Sequence, residues 1–489
     1  MSATIPPPTQ TARSRLMVGV LAFCVLIVAV MQTLVIPLLP HVPALTHSTP
    51  TAASWLVTVT LLTGCVCTPV FGRIGDMYGK RKIVLTSMCL LTVGSVLCAV
   101  SSQIALLIAG RAFQGAALAI VPLGISIMRD ELAPERVLRS VALMSSTLGI
   151  GATIGLPVTA VVIENFDWHT IFWASAAIGL LDIVLVLRFV PESSIRSHGR
   201  FDALGALGLS TALIALLLAV TQGADWGWLS APTLALLATA VIIGLLWGLY
   251  ELKAATPVVD LRVSARPAVL LTNIAALLIG FAFYANSLST GQMVQEPRST
   301  GYGLGASIVV SGLCLLPSGL AMVALSPVSA RISAACGPKT TLALASVLLA
   351  VGYVVRLFTN RSLGLIIAGS TVVAAGTAIA YSALPALVIR AVPLAETGAA
   401  NGLNTLMRSI GQACSSAVVA AVLANVTSVV GGRALPTLRA YQTVFLIAGA
   451  GAVLALTVTL CLPGRSGPAG ETTAQGGGVR ATAPAKKNA

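Results

Sequence analysis

The sequence predicts an all-α polytopic membrane protein with fourteen transmembrane helices. Of its 489 residues, 56% are apolar and 9% charged, against about 25% charged in soluble domains. Apolar runs close to the ~20 residues that cross a bilayer core recur from end to end. Cations gather in every second connection between runs, as the positive-inside rule requires.

The runs are 16–39, 55–71, 83–100, 104–128, 139–163, 170–190, 204–221, 232–249, 268–287, 304–327, 340–358, 362–389, 398–424 and 441–462. Of these, 83–100 and 204–221 are among the shortest. If residue 1 is cytoplasmic and every run spans, the outside receives only Arg298, Arg356, Arg361, Arg433 and Arg439. Nearly all other cations fall inside, so the net charge of +14 reports topology and calls for no nucleic-acid partner. Both termini are then cytoplasmic. Trp55, Trp168, Trp173, Trp226 and Trp228 fall at outer helix ends, the interface indole prefers.

The first run is too long for a cleaved signal and is read as helix 1. Residues 1–12, with Pro6-Pro7-Pro8, read as a disordered inner tail. The nine cysteines lack metal-ligand spacing and the four histidines form no cluster, so no metal, disulfide or enzyme chemistry is expected.

Between the second and third runs lies the most charged stretch, Gly72-Arg73-Ile-Gly-Asp76-Met-Tyr-Gly79-Lys80-Arg81-Lys82. Its glycines allow a tight turn. Read as a loop, it places Asp76 just beyond a helix ending near Phe71, within reach of Arg73 and Arg81. Helix 4 carries Arg111 and Gln114-Gly115 inside an apolar run, where a guanidinium costs about 2.5–3.5 kcal/mol on insertion scales and should face the bundle interior. Helix 5 presents Gly149, Gly151, Gly155 and Pro157, a face that lets a neighbour approach closely. The spans 204–221 and 232–249 are nearly featureless and read as packing helices.

An internal repeat follows. Gly79 and Gly337, Pro134 and Pro393, and Gly151 and Gly411 are pairs at nearly one offset, which points to two six-helix halves with two helices inserted between them. The expected divisions are an inner tail at 1–15, an N-terminal half at 16–190, a linker with two helices at 191–266, a C-terminal half at 267–462 and a disordered tail at 463–489.

Gly72, Arg73, Asp76, Gly79, Lys80 and Arg81 resemble the loop 2–3 signature of the major facilitator superfamily, and Arg111, Gln114 and Gly115 its helix 4 motif. Gly151, Gly155 and Pro157 resemble, imperfectly, its helix 5 antiporter motif. With fourteen helices, the chain looks like the drug:proton antiporter branch. That resemblance implies the major facilitator fold in a bacterial plasma membrane. It also implies efflux of amphipathic drugs by alternating access, with the proton gradient in place of any cofactor. The implied partners are a small-molecule substrate and the bilayer, with a monomer as the working unit. It further implies that Asp76 meets a neighbouring helix N-terminus as part of an inner gate. Where the branch usually has an aspartate in helix 1, this chain has Met31.

Asp182 lies inside an apolar run and, with Arg111, is a coupling candidate. Gln32, Gln114, Tyr284 and Asn404 are candidates for lining the substrate cavity, Asn404 on a polar stripe with Asn401, Arg408 and Gln412. Uptake or export of one narrow metabolite, or a facilitator without proton coupling, are the competing readings.

Overall fold

In a computed structural model, residues 8–35, 38, 42–48, 50–193, 195–196, 201–254, 257–359, 362–393, 396–430 and 433–463 are described. The predicted N-terminal tail before Pro8, and the C-terminal tail after Pro463, lie outside them. Thirteen helices are long and apolar enough to cross a membrane, and Pro134–Asn165, with 32 residues, completes the series of fourteen. In chain order they are α1 (Pro8–Thr33), α2 (Pro50–Tyr78), α3 (Lys80–Val100), α4 (Ile104–Glu131), α5 (Pro134–Asn165), α6 (His169–Phe189) and α7 (Ala203–Trp226). Then come α8 (Ala231–Glu251), α9 (Pro267–Gln295), α10 (Val309–Cys336), α11 (Pro338–Phe358), α12 (Leu363–Ala391), α13 (Thr397–Asn425) and α14 (Leu438–Leu460). A two-stranded antiparallel hairpin, β1 (Thr427–Val430) and β2 (Arg433–Pro436), joins α13 to α14.

The charged stretch is not a loop. Helix α2 continues to Tyr78, the turn is Gly79 alone at φ 124°, and Lys80 opens α3. Polar side chains can stay helical here because neighbouring elements satisfy them, so water is not needed. The helix α1 likewise begins at Pro8, inside the stretch read as a tail. Helix α4 is interrupted by a 3-10 turn at Ala116–Ala119, one residue after the Arg111–Gly115 motif.

Two apolar cores form. One gathers residues from Met17 to Val190, the other from Ala275 to Leu462. The packing repeats between them: α1 on α5 matches α9 on α13, and α3 on α6 matches α11 on α14. The halves meet through α5 on α10 and α2 on α13, again a matched pair. Helices α7 and α8 pack on each other, and α7 touches α2 and α13 from outside.

Glycine explains why these matched contacts are close. A Cβ at Gly151 would lie 2.5 Å from the Leu26 carbonyl of α1, and one at Gly411 would lie 2.0 Å from the Leu277 carbonyl of α9. The two residues at one offset therefore do the same work in the two halves. Gly79 and Gly337 also correspond, each opening a helix at positive φ, 124° and 85°. Such values strain any residue with a Cβ.

Gly411→Ala is accordingly expected to force α13 off α9 and destabilise the fold by about 1–3 kcal/mol. Gly451→Ala, where a Cβ meets nothing within 4 Å, is the matched control and should be neutral or slightly stabilising. Thermal unfolding of the purified proteins in detergent separates the two.

Candidate gate and mid-membrane site

The Gly79 turn holds the two halves together on its face of the bundle. Asp76, in the last turn of α2, is fully buried, and its Oδ2 accepts the Ala399 backbone N–H at 3.0 Å. Ala399 lies in the first turn of α13, so a carboxylate meets the positive end of a helix dipole. Gly72 and Gly398 make the approach possible. A Cβ at Gly72 would lie 3.0 Å from the Gly398 carbonyl, and one at Gly398 would lie 2.6 Å from Asp76 Oδ1.

Lys80 is the cation that serves Asp76, at 3.5 Å, and it lies 2.6 Å from Asp130 Oδ2 at the end of α4. The Ser193 hydroxyl also donates to Asp130. Arg73 and Arg81, expected beside Asp76, are turned to other work. Arg81 donates to the Leu187 carbonyl at 2.5 Å, and its backbone N–H to Glu192 at 3.2 Å, tying the turn to the end of α6. Arg73 is buried and acts electrostatically on Glu251 at the end of α8. The i,i+4 geometry of Asp76 and Lys80 decides the partner once the turn is helical on both sides.

Arg129 completes the clamp. It donates to the Val392 carbonyl at 3.0 Å, to the Pro393 carbonyl at 3.4 Å and to the Thr397 hydroxyl. A guanidinium thus sits at the C-terminal end of α12 while Asp76 holds the N-terminal end of α13. Both charges complement the dipole they face. Nothing in the sequence singled out Arg129 from the other inner cations.

Deeper in the bundle, Arg111 is pinned. It donates to the Leu56 carbonyl of α2 at 3.1 Å, the Met31 carbonyl of α1 at 2.9 Å and Gln114 Oε1 at 2.6 Å. Gln114 passes the network on to Ser95 at 2.8 Å. Gln114 and Asn404, which donates to Asn273 at 3.0 Å, are both buried in interhelical bonds. Gln32 and Tyr284 keep partial exposure. Asp182 is fully buried on α6 and faces the Cys24 thiol of α1. Gly151, Gly155 and Pro157 are on α5, with Gly151 and Gly155 against α1.

Arg356, assigned above to the outside, is buried. It donates to Asn286 and, at 2.5 Å, to Thr290 of α9, and lies 4.2 Å over the Phe445 ring. Its place within the apolar run 340–358 was the signal. Glu251 is a second buried charge in a region read as featureless. It accepts the Val259 N–H at 2.9 Å and so anchors the linker to α8. Near the hairpin a recess of about 580 Å³ is lined by Gln292, Glu296, Leu423 and Pro436 among others. All of its walls come from one half.

The sequence profile of the Major Facilitator Superfamily matches residues 21–318 and 272–488, which covers both halves. The chain belongs to that superfamily. It is 28% identical over 355 residues to a "Multidrug resistance protein Stp" of Mycobacterium tuberculosis, a match covering 72% of this chain and 65% of that protein. It is 27% identical over 427 residues to the "Multidrug efflux pump LfrA" of Mycolicibacterium smegmatis, covering 85% and 82% of the two chains. A "Tetracenomycin C resistance and export protein" of Streptomyces glaucescens is 23% identical over 405 residues, with 82% and 74% covered. In structure, the human transporter MFSD10 superposes with a TM-score of 0.66 at 17% identity, covering 93% of this chain and all of that one, a likeness of fold. The chain spans about 65% of the length of that Mycobacterium tuberculosis relative. A multi-pass membrane protein with the facilitator fold is thus the coarse identity of the chain.

Removing the charge at Asp76 should loosen the clamp. Asp76→Asn is expected to cost about 1–2 kcal/mol of gate closure, the upper range for a partly buried charge at a helix terminus. Hydrogen exchange followed by mass spectrometry should then show faster exchange in 396–402. Unchanged protection there would show that the carboxylate does not hold α13.

Proposed function

We propose that this chain is a proton-driven exporter of drug-like amphipathic molecules that works by alternating access. The observation that carries the reading is the clamp between halves. In a pseudo-symmetric bundle, one face is sealed by a few charge-to-helix-end contacts, each modest enough to be broken in a transport cycle. The cationic face is the cytoplasmic one by the positive-inside rule. Relatives named for multidrug resistance and efflux support export as the direction.

In this reading Asp76, Lys80 and Arg129 lock the cytoplasmic face, with Gly72 and Gly79 setting the approach. Arg81 fixes the turn to α6. Gly151, Gly155 and Pro157 shape the α1–α5 contact. The coupling acid is Asp182, since it is a fully buried carboxyl within a membrane span, and such an acid marks a proton path by default. Arg111, bonded to carbonyls of α1 and α2, transmits movement between these helices. Met31 at the usual acid position favours one alternative, a facilitator that runs without protons.

Efflux from cells expressing the chain tests this, using a panel of cationic, neutral and anionic drugs and dyes with and without a protonophore. Export that collapses with the proton gradient, and is lost in Asp76→Asn, is the expected result. Asp182→Asn should abolish gradient-driven export while leaving a folded protein. Full export in that variant removes Asp182 from coupling, and export indifferent to the protonophore supports the facilitator.

A further inference from the structure

Away from the gate, where Arg73 is also buried, three arginines among the described residues are buried within the spans: Arg111 and Arg356 at 1% exposure, and Arg408 at 8%. Ion pairs among the described residues are Lys80–Asp76, Lys80–Asp130 and His169–Asp167, so none of the three arginines has a carboxylate. Arg111 and Arg356 are held by carbonyl, amide and hydroxyl oxygens of neighbouring helices, which explains them as fixed crosslinks.

Arg408 is different. It makes no hydrogen bond or ion pair among the described residues, and its guanidinium stands 4.7 Å over the ring of Tyr381. It lies near the middle of α13 (Thr397–Asn425), and the Tyr381 ring in turn lies 5.7 Å from that of Phe283, near the middle of α9 (Pro267–Gln295). The cluster is therefore at mid-membrane. Tyr381 is 3% exposed, and its hydroxyl lies beside Gln412 of α13. A guanidinium with no acceptor thus stands next to a phenol that can also donate.

No carboxylate among the described residues balances the guanidinium. Helix α1 carries no acid and ends in Met31, Gln32 and Thr33. Asp182 is turned to Cys24 within the N-terminal core. A cationic molecule at this level would meet an unscreened like charge, whereas an anionic oxygen would satisfy the free guanidinium and could accept from the phenol beside it. Guanidinium is suited to that task, since its planar fork matches a carboxylate.

We infer that the substrate is an organic anion, an aromatic molecule bearing a carboxylate or an ionised phenol. Arg408 and the Tyr381 hydroxyl bind its anionic oxygen at mid-membrane, while its rings pack beside Phe283. The inference rests on the exporter reading for its direction and goes beyond it by assigning charge and binding residues.

The test is binding to the purified full chain in nanodiscs by fluorescence anisotropy, with signal from empty nanodiscs subtracted. The probes are two xanthene dyes of opposite charge, fluorescein and tetramethylrhodamine methyl ester. The unmodified protein should bind fluorescein more tightly by about tenfold or more, the scale of a charge-assisted hydrogen bond. Arg408→Gln should erase that preference by weakening fluorescein alone, and Arg408→Lys should restore part of it. Tighter binding of the rhodamine, or no fluorescein binding at all, overturns the inference without any variant having to fold. A folded Arg408→Gln protein with unchanged fluorescein affinity does the same. The exporter reading is judged separately. Gradient-driven efflux of the rhodamine without fluorescein binding would leave that reading standing and remove this one. Fluorescein binding without export of any compound would do the reverse.

Discussion

The contact between the Asp76 carboxylate and the Ala399 N–H is the constraint on which the rest of the bundle depends. It joins the last turn of α2 in one half to the first turn of α13 in the other. It also requires Gly72 and Gly398 to meet without side chains, so it sets the spacing of α2 and α13. Lys80, Asp130 and Ser193 extend it into α4 and the segment after α6. Arg129 grips the adjoining helix end with the opposite charge. On this face the ends of the helices are held by dipoles and a few ions, while α2 and α13 also share apolar contacts along their lengths.

The same economy of side chains recurs inside each half. Gly151 and Gly411 let α5 and α13 press against carbonyls of α1 and α9. Lipid supplies no hydrophobic drive for helices to associate, so close packing and interhelical bonds must. The buried network of Arg111, Gln114 and Ser95, and that of Arg356, Asn286, Thr290 and Ser370, provide such bonds at matched ends of the two halves. In one half the arginine comes from α4, in the other from α11. The packing is symmetric where the residues are not.

Much of this was legible in the chain. The fourteen runs, the turn glycines and the repeat offset could be read because bilayer thickness and backbone conformation act on local sequence. The facilitator family was legible in Gly72 to Arg81 and in Arg111 to Gly115. The charged stretch was misjudged as a loop because charge was taken as a sign of water. In the structure Asp76 and Lys80 are at most 1% exposed and serve as each other's partners. Arg356 was assigned to the outside for the same reason. Gln114 and Asn404, expected toward a cavity, are bonded to neighbouring helices in this structure, and a polar residue in a span can serve either role.

By itself the sequence determined the class, the number of spans, the fold family and the face that carries the cations. Those follow from composition and from periodicities that any bilayer imposes. Which charges pair, which are left alone and which face of a helix meets its neighbour were decided only by the tertiary structure. Arg111, Arg356 and Arg408 are alike as arginines in apolar runs. Only the positions of α1, α9 and α12 around them make two into crosslinks and leave the third with its donors free.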